Sequence, residues 1–398
     1  MSEIFIGKFS RTVLSGLLIM SSALILSACG VIEPEPEVNE VDPEEEAGVI
    51  NDQFEKEPEE TIGEILLILP PTANHLTVSN DGDFLIFTMA GAPIDPYHII
   101  NTKTYRSEIV DGREVSFDDI EALPTPGLEP GQVNAPEFSP DGEKLLYAAY
   151  EAGLYRPGEH PGAIYISCPG LPPEIYHQVD LSEDEIVPDI RPVWKADGEG
   201  IYYLSTRGVM SYSPEAQQAE LVHTAEDLSG PLDQNTGLAP HSFLVKDNFA
   251  RLAYAYEGEI EIVPFKNDHL EWERFETGLT EISNIEFIFD GRYLALESAF
   301  MYDIEGQWLE FLDLQTGELV ELDNNYLPAG YTVNDQQEMA FIKFNQAGDF
   351  ELAILNELLE EVQTASLPRL TGNVIWLDSA WCVLGSGQDG YPLYKIEF

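Results

Sequence analysis

The sequence predicts an all-β fold, a seven-bladed β-propeller of four-stranded blades, placed behind an export signal and an acidic tether. Three observations carry this prediction. An apolar N-terminal run ends at a cysteine, a segment rich in Glu and Pro follows it, and a turn motif then recurs about every fifty residues. We expect the signal to span residues 1–28, the tether 29–62 and the propeller 63–398.

The first thirty residues have the pattern of a bacterial lipoprotein signal. Lys8 and Arg11 precede an apolar run over 13–26, which is too short for a comfortable transmembrane helix. Residues 26–30, Leu-Ser-Ala-Cys-Gly, resemble the lipobox. The resemblance implies cleavage before Cys29 and lipid on its thiol, so that the chain is exported and anchored to the cell membrane or outer membrane. The alternative is an ordinary signal peptide that contains a cysteine.

The segment that follows is strongly acidic. Residues 30–62 contain thirteen acidic residues, one basic residue and several prolines. Like charges repel and proline removes helix hydrogen bonds, which predicts an extended, mobile segment. We interpret it as a spacer that holds the globular part away from the membrane. A solubilising leader with no length requirement is the alternative.

A turn motif repeats through the rest of the chain. Its clearest copy is 136–147, with Pro-Asp-Gly between two apolar segments, and related copies lie at 78–87, 194–203 and 287–296. Asp bonds the local backbone and Gly accepts a positive φ, so each copy predicts a β-hairpin. The anchoring aspartates of the seven copies are Asp81, Asp141, Asp197, Asp247, Asp290, Asp335 and Asp378.

The spacing of these aspartates predicts one four-stranded blade per copy. Third strands are expected at 163–166, 259–263, 308–314, 350–355 and 391–396. The seventh copy lacks an outer strand, and residues 64–69 form an unassigned apolar strand before the first copy. Closing the ring with this strand removes exposed edges, whereas a separate edge strand is the alternative. The best helical candidate, 358–362, is short.

The Phe-Ser-Pro-Asp-Gly hairpin over 138–142, followed by an apolar strand, resembles the repeat of the TolB-like, WD-repeat-like propellers. The resemblance covers about residues 64–398, with four good copies and three weaker ones. It implies the propeller fold. Proteins of that family carry an α/β domain before the propeller, and here the signal and tether stand in its place, so the family's role in the envelope does not transfer from the propeller alone.

Composition excludes several classes of function. The formal charge of −53 argues against nucleic-acid binding and against docking on anionic lipid through a basic patch. Cys168 and Cys382 fall in blades that are not neighbours, so we expect both to be free. The sequence has neither a Gly-x-Ser-x-Gly nor a His-Glu-x-x-His motif, and Asp81-Gly82-Asp83 lacks the rest of a calcium loop. We therefore predict no catalytic residues, metal or cofactor.

One constellation remains as a candidate site. Residues just before each innermost strand are expected at the mouth of the central channel, with the connections 110–134 and 150–161 projecting on the same face. A small anionic ligand or a peptide terminus fits such a polar ring, and the alternative is a solvated channel without a ligand. The candidate residues are Asn74, His75, Asn134, Asp189, Arg191, His241, Asn284, Tyr331 and Asn373.

The sequence thus predicts a non-enzymatic, membrane-anchored module for recognition of a protein or small ligand on the envelope surface. Its predicted partners are membrane lipid through Cys29 and one further protein or small ligand of unknown identity. Two alternatives stay open. The first is an enzyme at the channel mouth, a lyase or hydrolase acting on glycans, and the second is a solute-binding lipoprotein. A cluster of perturbed acids in the channel favours an enzyme, and an exposed apolar patch favours a scaffold.

Overall fold

In the computed structural model, the described residues all lie in one compact unit, Glu57–Phe398. The predicted signal, Cys29 and the tether fall outside them. The described residues are 64–71, 73–89, 97–108, 114–128, 131–151, 162–169, 175–181, 190–224, 232–233, 237–238, 240–256, 258–266, 271–279, 282–298, 308–322, 326–344, 350–367, 370–377, 379–385, 390–396 and 398.

Seven four-stranded antiparallel sheets follow one another along the chain as the blades of a propeller, which confirms the predicted fold class. In each blade the first strand is innermost. Blade 1 follows the strand β1 (Glu64–Leu69) and contains β2 (Ala73–Val78), β3 (Phe84–Met89), β4 (Tyr97–Asn101) and β5 (Glu121–Ala122). Blade 2 contains β6 (Gly131–Phe138), β7 (Leu145–Glu151), β8 (Gly162–Ser167) and β9 (Ile175–Asp180). Blade 3 contains β10 (Val193–Trp194), β11 (Ile201–Ser205), β12 (Gly208–Ser213) and β13 (Gln218–Thr224).

A two-stranded hairpin, β14 (Leu232–Asp233) and β15 (Gly237–Leu238), separates blade 3 from blade 4. Blade 4 contains β16 (His241–Lys246), β17 (Phe249–Tyr256), β18 (Glu259–Lys266) and β19 (Glu273–Glu276). Blade 5 contains β20 (Ile282–Ile288), β21 (Tyr293–Ser298), β22 (Trp308–Asp313) and β23 (Glu318–Glu321). Blade 6 contains β24 (Tyr326–Val333), β25 (Met339–Phe344), β26 (Phe350–Leu355) and β27 (Glu361–Ser366).

Blade 7 shows how the ring closes. It contains β28 (Leu370–Leu377), β29 (Ala380–Gly385), β30 (Tyr391–Lys395) and, as its outermost strand, β1 from the start of the described chain. β1 runs antiparallel to β30, with Leu69 opposite Tyr391. The prediction that residues 64–69 supply the missing strand is therefore confirmed. The free side of β1 is bridged in parallel by Glu114, and the backbone N–H of Val115 donates to the carbonyl of Ile68 over 2.8 Å.

The turns of blades 1 and 2 are built as the sequence predicts, whereas in blade 6 Asn334 rather than Asp335 accepts the backbone N–H groups of the turn. In blade 2 the Ser139 hydroxyl donates to Oδ1 of Asp141 over 2.6 Å and accepts from the backbone N–H of Lys144 over 2.9 Å. The same carboxylate oxygen accepts the backbone N–H of Glu143, and Gly142 has a φ of 76°. Blade 1 repeats this arrangement around Asp81. Each turn thereby fixes the register between an innermost strand and the second strand of its blade.

One expectation for the connections is wrong. Residues 358–362 are not helical: 358–360 belong to a turn, and 361–362 already lie in β27. Asn356 caps the turn by accepting the backbone N–H groups of Leu358 and Glu360. The described helix is instead α1 (Thr102–Glu108), with 3₁₀ turns at Phe117–Asp119 and Phe289–Gly291. The connection over 110–134 is more than a projecting loop, since it supplies β5 and the bridge to β1. The described residues include no helix long and apolar enough to cross a bilayer.

The apolar cores lie between the blades. Residues on both faces of the second and third strands are buried. The rings of Tyr147 and Tyr165, neighbours in blade 2 with centroids 5.4 Å apart, belong to one cluster with Ile86 of blade 1. Burial of such large side chains supplies most of the driving force for the fold. Cys382 is buried and Cys168 is half-buried, and neither forms a disulfide, as expected. The blades thus form a packed wall around the channel and fix the innermost strands that line it.

Candidate functional site

Asparagines from several blades stand at one level near the channel mouth, the end at which the innermost strands begin. Asn74, Asn134 and Asn284 lie opposite the corresponding residue of the second strand in blades 1, 2 and 5. Nδ2 of Asn373 in blade 7 donates to Oδ1 of Asn74 over 2.5 Å, and Nδ2 of Asn134 donates to the carbonyl of Ile190 over 3.4 Å. These bonds tie neighbouring blades together and form a polar belt.

The belt coincides with β-bulges. The register between first and second strands shifts just after Asn74 and just after Asn134, and the next residues, His75 and Ala135, have φ values of 49° and 47°. Side chains other than glycine rarely adopt this conformation, and such strain concentrates at functional sites. The bulges show why the predicted residues lie within the strands rather than before them. The innermost strands begin before these residues, and the extra residue of each bulge changes the direction of the backbone at the mouth.

Arg191 brings a positive charge to the belt. Its Nη1 in blade 3 donates to Oδ1 of Asn284 in blade 5 over 2.6 Å, passing in front of blade 4. Asn284 in turn donates from Nδ2 to Oε1 of Glu297 on the second strand of blade 5, over 3.1 Å. Burial raises the pKa of Glu297, against the opposing effects of Asn284, Tyr331 and Arg191.

A phenol–carboxylate pair lies further along the channel. The Tyr331 hydroxyl of blade 6 donates to Oε2 of Glu286 in blade 5 over 2.9 Å, and the Tyr331 ring lies 5.6 Å from that of Phe341. Burial raises the pKa of Tyr331, and the charges of Glu286 and Glu297 raise it further. Burial also raises the pKa of Glu286, a shift that Glu297 increases and that Tyr331 and Arg191 oppose.

Glu137 occupies the position in blade 2 that Glu286 occupies in blade 5. Each glutamate stands five residues before the glycine of its turn, and they pair with Leu146 and Ala295 on their second strands. Glu137 remains accessible from the channel, but the surrounding blades take its carboxyl out of bulk water and raise its pKa to about 8. Sequence reasoning missed both glutamates, although alignment of the repeats on the turn glycine would have placed them at one level.

The predicted residues are brought together in part. His75 is exposed at the mouth, and Asn134, Arg191 and Asn284 belong to the belt. Tyr331 lies deeper than expected, two residues before the end of β24. His241, expected at the mouth, is only 3% exposed, because its ring packs near Phe243 inside blade 4. Asp189 falls outside the described residues.

Among the described residues, the channel combines amide, guanidinium, phenol and carboxylate groups, with the carboxyls of Glu137, Glu286 and Glu297 and the guanidinium of Arg191. Such a lining can bind polar or charged ligands and can hold protons on the carboxyls whose pKa is raised. Across the part of the chain that the structure describes, no group of three or more His, Cys, Asp or Glu is placed to hold a metal ion. Neither a protein-family model nor a curated protein matches the chain.

Proposed function

We propose that the protein is a non-catalytic lipoprotein of the bacterial envelope whose propeller recognises a partner over the channel mouth. The observation that carries the proposal is the polar belt, in which Arg191 and asparagines from separate blades are held at one level. Belt side chains bonded to each other or to backbone are preorganised, so that recognition costs little ordering entropy. The proposal places the lipid on Cys29 and assigns the spacer role to residues 29–62.

The sequence supports the envelope location and the fold supports the recognition role. Propellers present a rigid face on which side chains from several blades converge, and the resemblance of the turns to TolB-like propellers favours an interaction module. Exposed apolar side chains at the outer strands offer a rim surface as an alternative place for contact with a protein. Leu221 on β13 is 40% exposed, and Trp272, directly before β19, is 45% exposed. The mouth is the stronger candidate because its residues are held by specific bonds.

One observation favours a second function, an enzyme acting on glycans in the channel. Glu286 and Glu297 have raised pKa values, and burial and both carboxylates raise the pKa of Tyr331. A cluster of perturbed acids in a concave site is a candidate for general acid–base chemistry. A panel of glycan substrates, assayed with the wild type and with Glu297→Gln, tests it. Turnover that this substitution abolishes would replace the recognition proposal.

Photo-crosslinking in cells tests the recognition proposal. A benzoylphenylalanine placed at His75, exposed at the mouth, should give one discrete covalent adduct with an envelope component. The matched control is the same group at Gln363, which is exposed on the outer strand of blade 6. Adducts from Gln363 alone would move the interaction surface to the rim. The absence of adducts from both positions would contradict a macromolecular partner at the mouth.

A further inference from the structure

A cavity of about 300 Å³ opens at the end of the channel opposite the mouth, beside the turns of blades 5 and 6. Its walls come from blades 4, 5 and 6 and mix apolar with polar groups, of which the polar groups expose the larger surface. The apolar side chains that line it are Leu244, Phe287, Ile288, Phe289 and Val333. The size is that of a pocket for a small ligand or for one long side chain.

Polar groups reach the cavity from one side. Glu286 and the Tyr331 hydroxyl line it as a hydrogen-bonded pair, and Asp290 stands at the turn. The Asp290 carboxylate is paired with the Lys246 ammonium over 2.9 Å. Among the described residues that line the cavity, two are acidic and none is Lys or Arg. The Glu286 carboxylate thus brings negative charge to a cavity that apolar side chains line in part.

We propose that this cavity binds an organic cation, a primary amine or guanidinium on an apolar stem, with Glu286 as its counter-charge. One oxygen of Glu286 accepts the Tyr331 hydroxyl, and a carboxylate keeps further acceptor sites for an ammonium or guanidinium. The apolar side chains of the lining then cover the stem of the ligand. The site is separate from the mouth and does not depend on a partner there.

The charge of the lining disfavours an anionic ligand. An anion would meet the charge of the Glu286 carboxylate, which repels it. An organic cation instead compensates the carboxylate that burial makes costly to ionise, which agrees with the raised pKa of Glu286.

Isothermal titration calorimetry of the wild-type protein with agmatine, at about 0.15 M sodium chloride to screen the surface charge, tests the site. We expect saturable binding of one agmatine per chain. Glu286→Gln should weaken it by at least about tenfold. Glu318→Gln removes one exposed carboxylate from the outer strand of the same blade and should leave the affinity unchanged. Glutarate, a dianion, should not bind.

A second variant guards against a folding defect in Glu286→Gln. Tyr331→Phe keeps the ring contact with Phe341 and removes only the hydroxyl, so it should fold and bind agmatine more weakly. A parallel titration uses an arginine-containing tripeptide in place of agmatine. Binding of both probes assigns the site to small amines, and binding of the tripeptide alone assigns it to a side chain of a partner protein. Unsaturable heats, or equal losses in Glu286→Gln and Glu318→Gln, would overturn the site whatever the crosslinking at the mouth shows.

Discussion

The guanidinium of Arg191 in blade 3 donates a hydrogen bond to the side-chain oxygen of Asn284 in blade 5, over 2.6 Å. Blades 3 and 5 are not neighbours, so this bond spans the front of blade 4. Asn284 also donates a hydrogen bond to Glu297. Asn284 thereby links the Arg191 guanidinium to the Glu297 carboxyl, whose pKa is raised by burial. The mouth is therefore held across the ring as well as between adjacent blades.

A double-mutant cycle measures this bond. Arg191→Ala and Asn284→Ala should show a coupling in the free energy of unfolding of about 0.5–1 kcal/mol, because a charged hydrogen bond is strong but Arg191 is exposed to solvent. Urea denaturation of the four proteins provides the measurement. The distant pair Arg191→Ala and Glu318→Gln should be additive, and additivity of the first pair as well would contradict a bond across blade 4.

The wall of the propeller could be predicted from sequence better than the site. The residues around Asp141 predict a hairpin because a turn depends on neighbouring residues. The apolar strand at 64–69 predicts closure of the ring because pairing it with the seventh copy, which lacks an outer strand, covers exposed edges. The pairing of Tyr331 with Glu286 depends on the register shift between Tyr326 and Tyr331, which no local pattern encodes.

His241 shows the other limit of the sequence prediction. Its position at the start of β16 suggested exposure, but packing inside blade 4 determines its burial. Contacts between blades such as that of Arg191 with Asn284 likewise depend on the closed ring, which sequence spacing alone does not describe.

The raised pKa of Glu137 predicts that the stability of the fold depends on pH. Its pKa is about 8 in the folded protein against 4.5 for the free side chain, so the folded state binds the proton more tightly. The stability that the protonated carboxyl contributes is complete below about pH 4.5 and is lost as the pH rises through about 8. Glu137→Gln mimics the protonated form. Its melting temperature should match the wild type near pH 5 and exceed it near pH 9, by a difference on the order of a few degrees.

Thermal melts over this pH range require a control for the overall charge. Glu318→Gln removes one exposed carboxylate elsewhere and should change the melting temperature equally at both pH values. A Glu137→Gln difference that is constant with pH would show that the Glu137 carboxyl titrates normally.

The lipobox-like sequence around Cys29 predicts a lipid anchor. Cys29→Ala should abolish incorporation of a radioactive fatty acid and release the protein from the membrane fraction, because the thiol is the only group at the lipobox that can take the diacylglyceryl chain. Cys168→Ala, a change at a cysteine of the propeller, should leave the labelling intact. Labelling that persists in Cys29→Ala would contradict the lipoprotein assignment.

The charge of the propeller predicts a response to salt. Residues 63–398 contain 58 acidic and 16 basic residues, a formal charge of −42, which exceeds what solubility requires and destabilises a compact state by self-repulsion. Raising sodium chloride from about 0.05 M to about 1 M shortens the Debye length to roughly 3 Å and should raise the melting temperature of the propeller freed of its tether. Sodium chloride is preferred to sulfate because sulfate also strengthens apolar burial. A rise supports adaptation to a salty or alkaline exterior, where carboxylates stay ionised and are screened. A midpoint that stays flat or falls would instead indicate acidic composition without a salt requirement, since the repulsion would then be too weak to affect the fold.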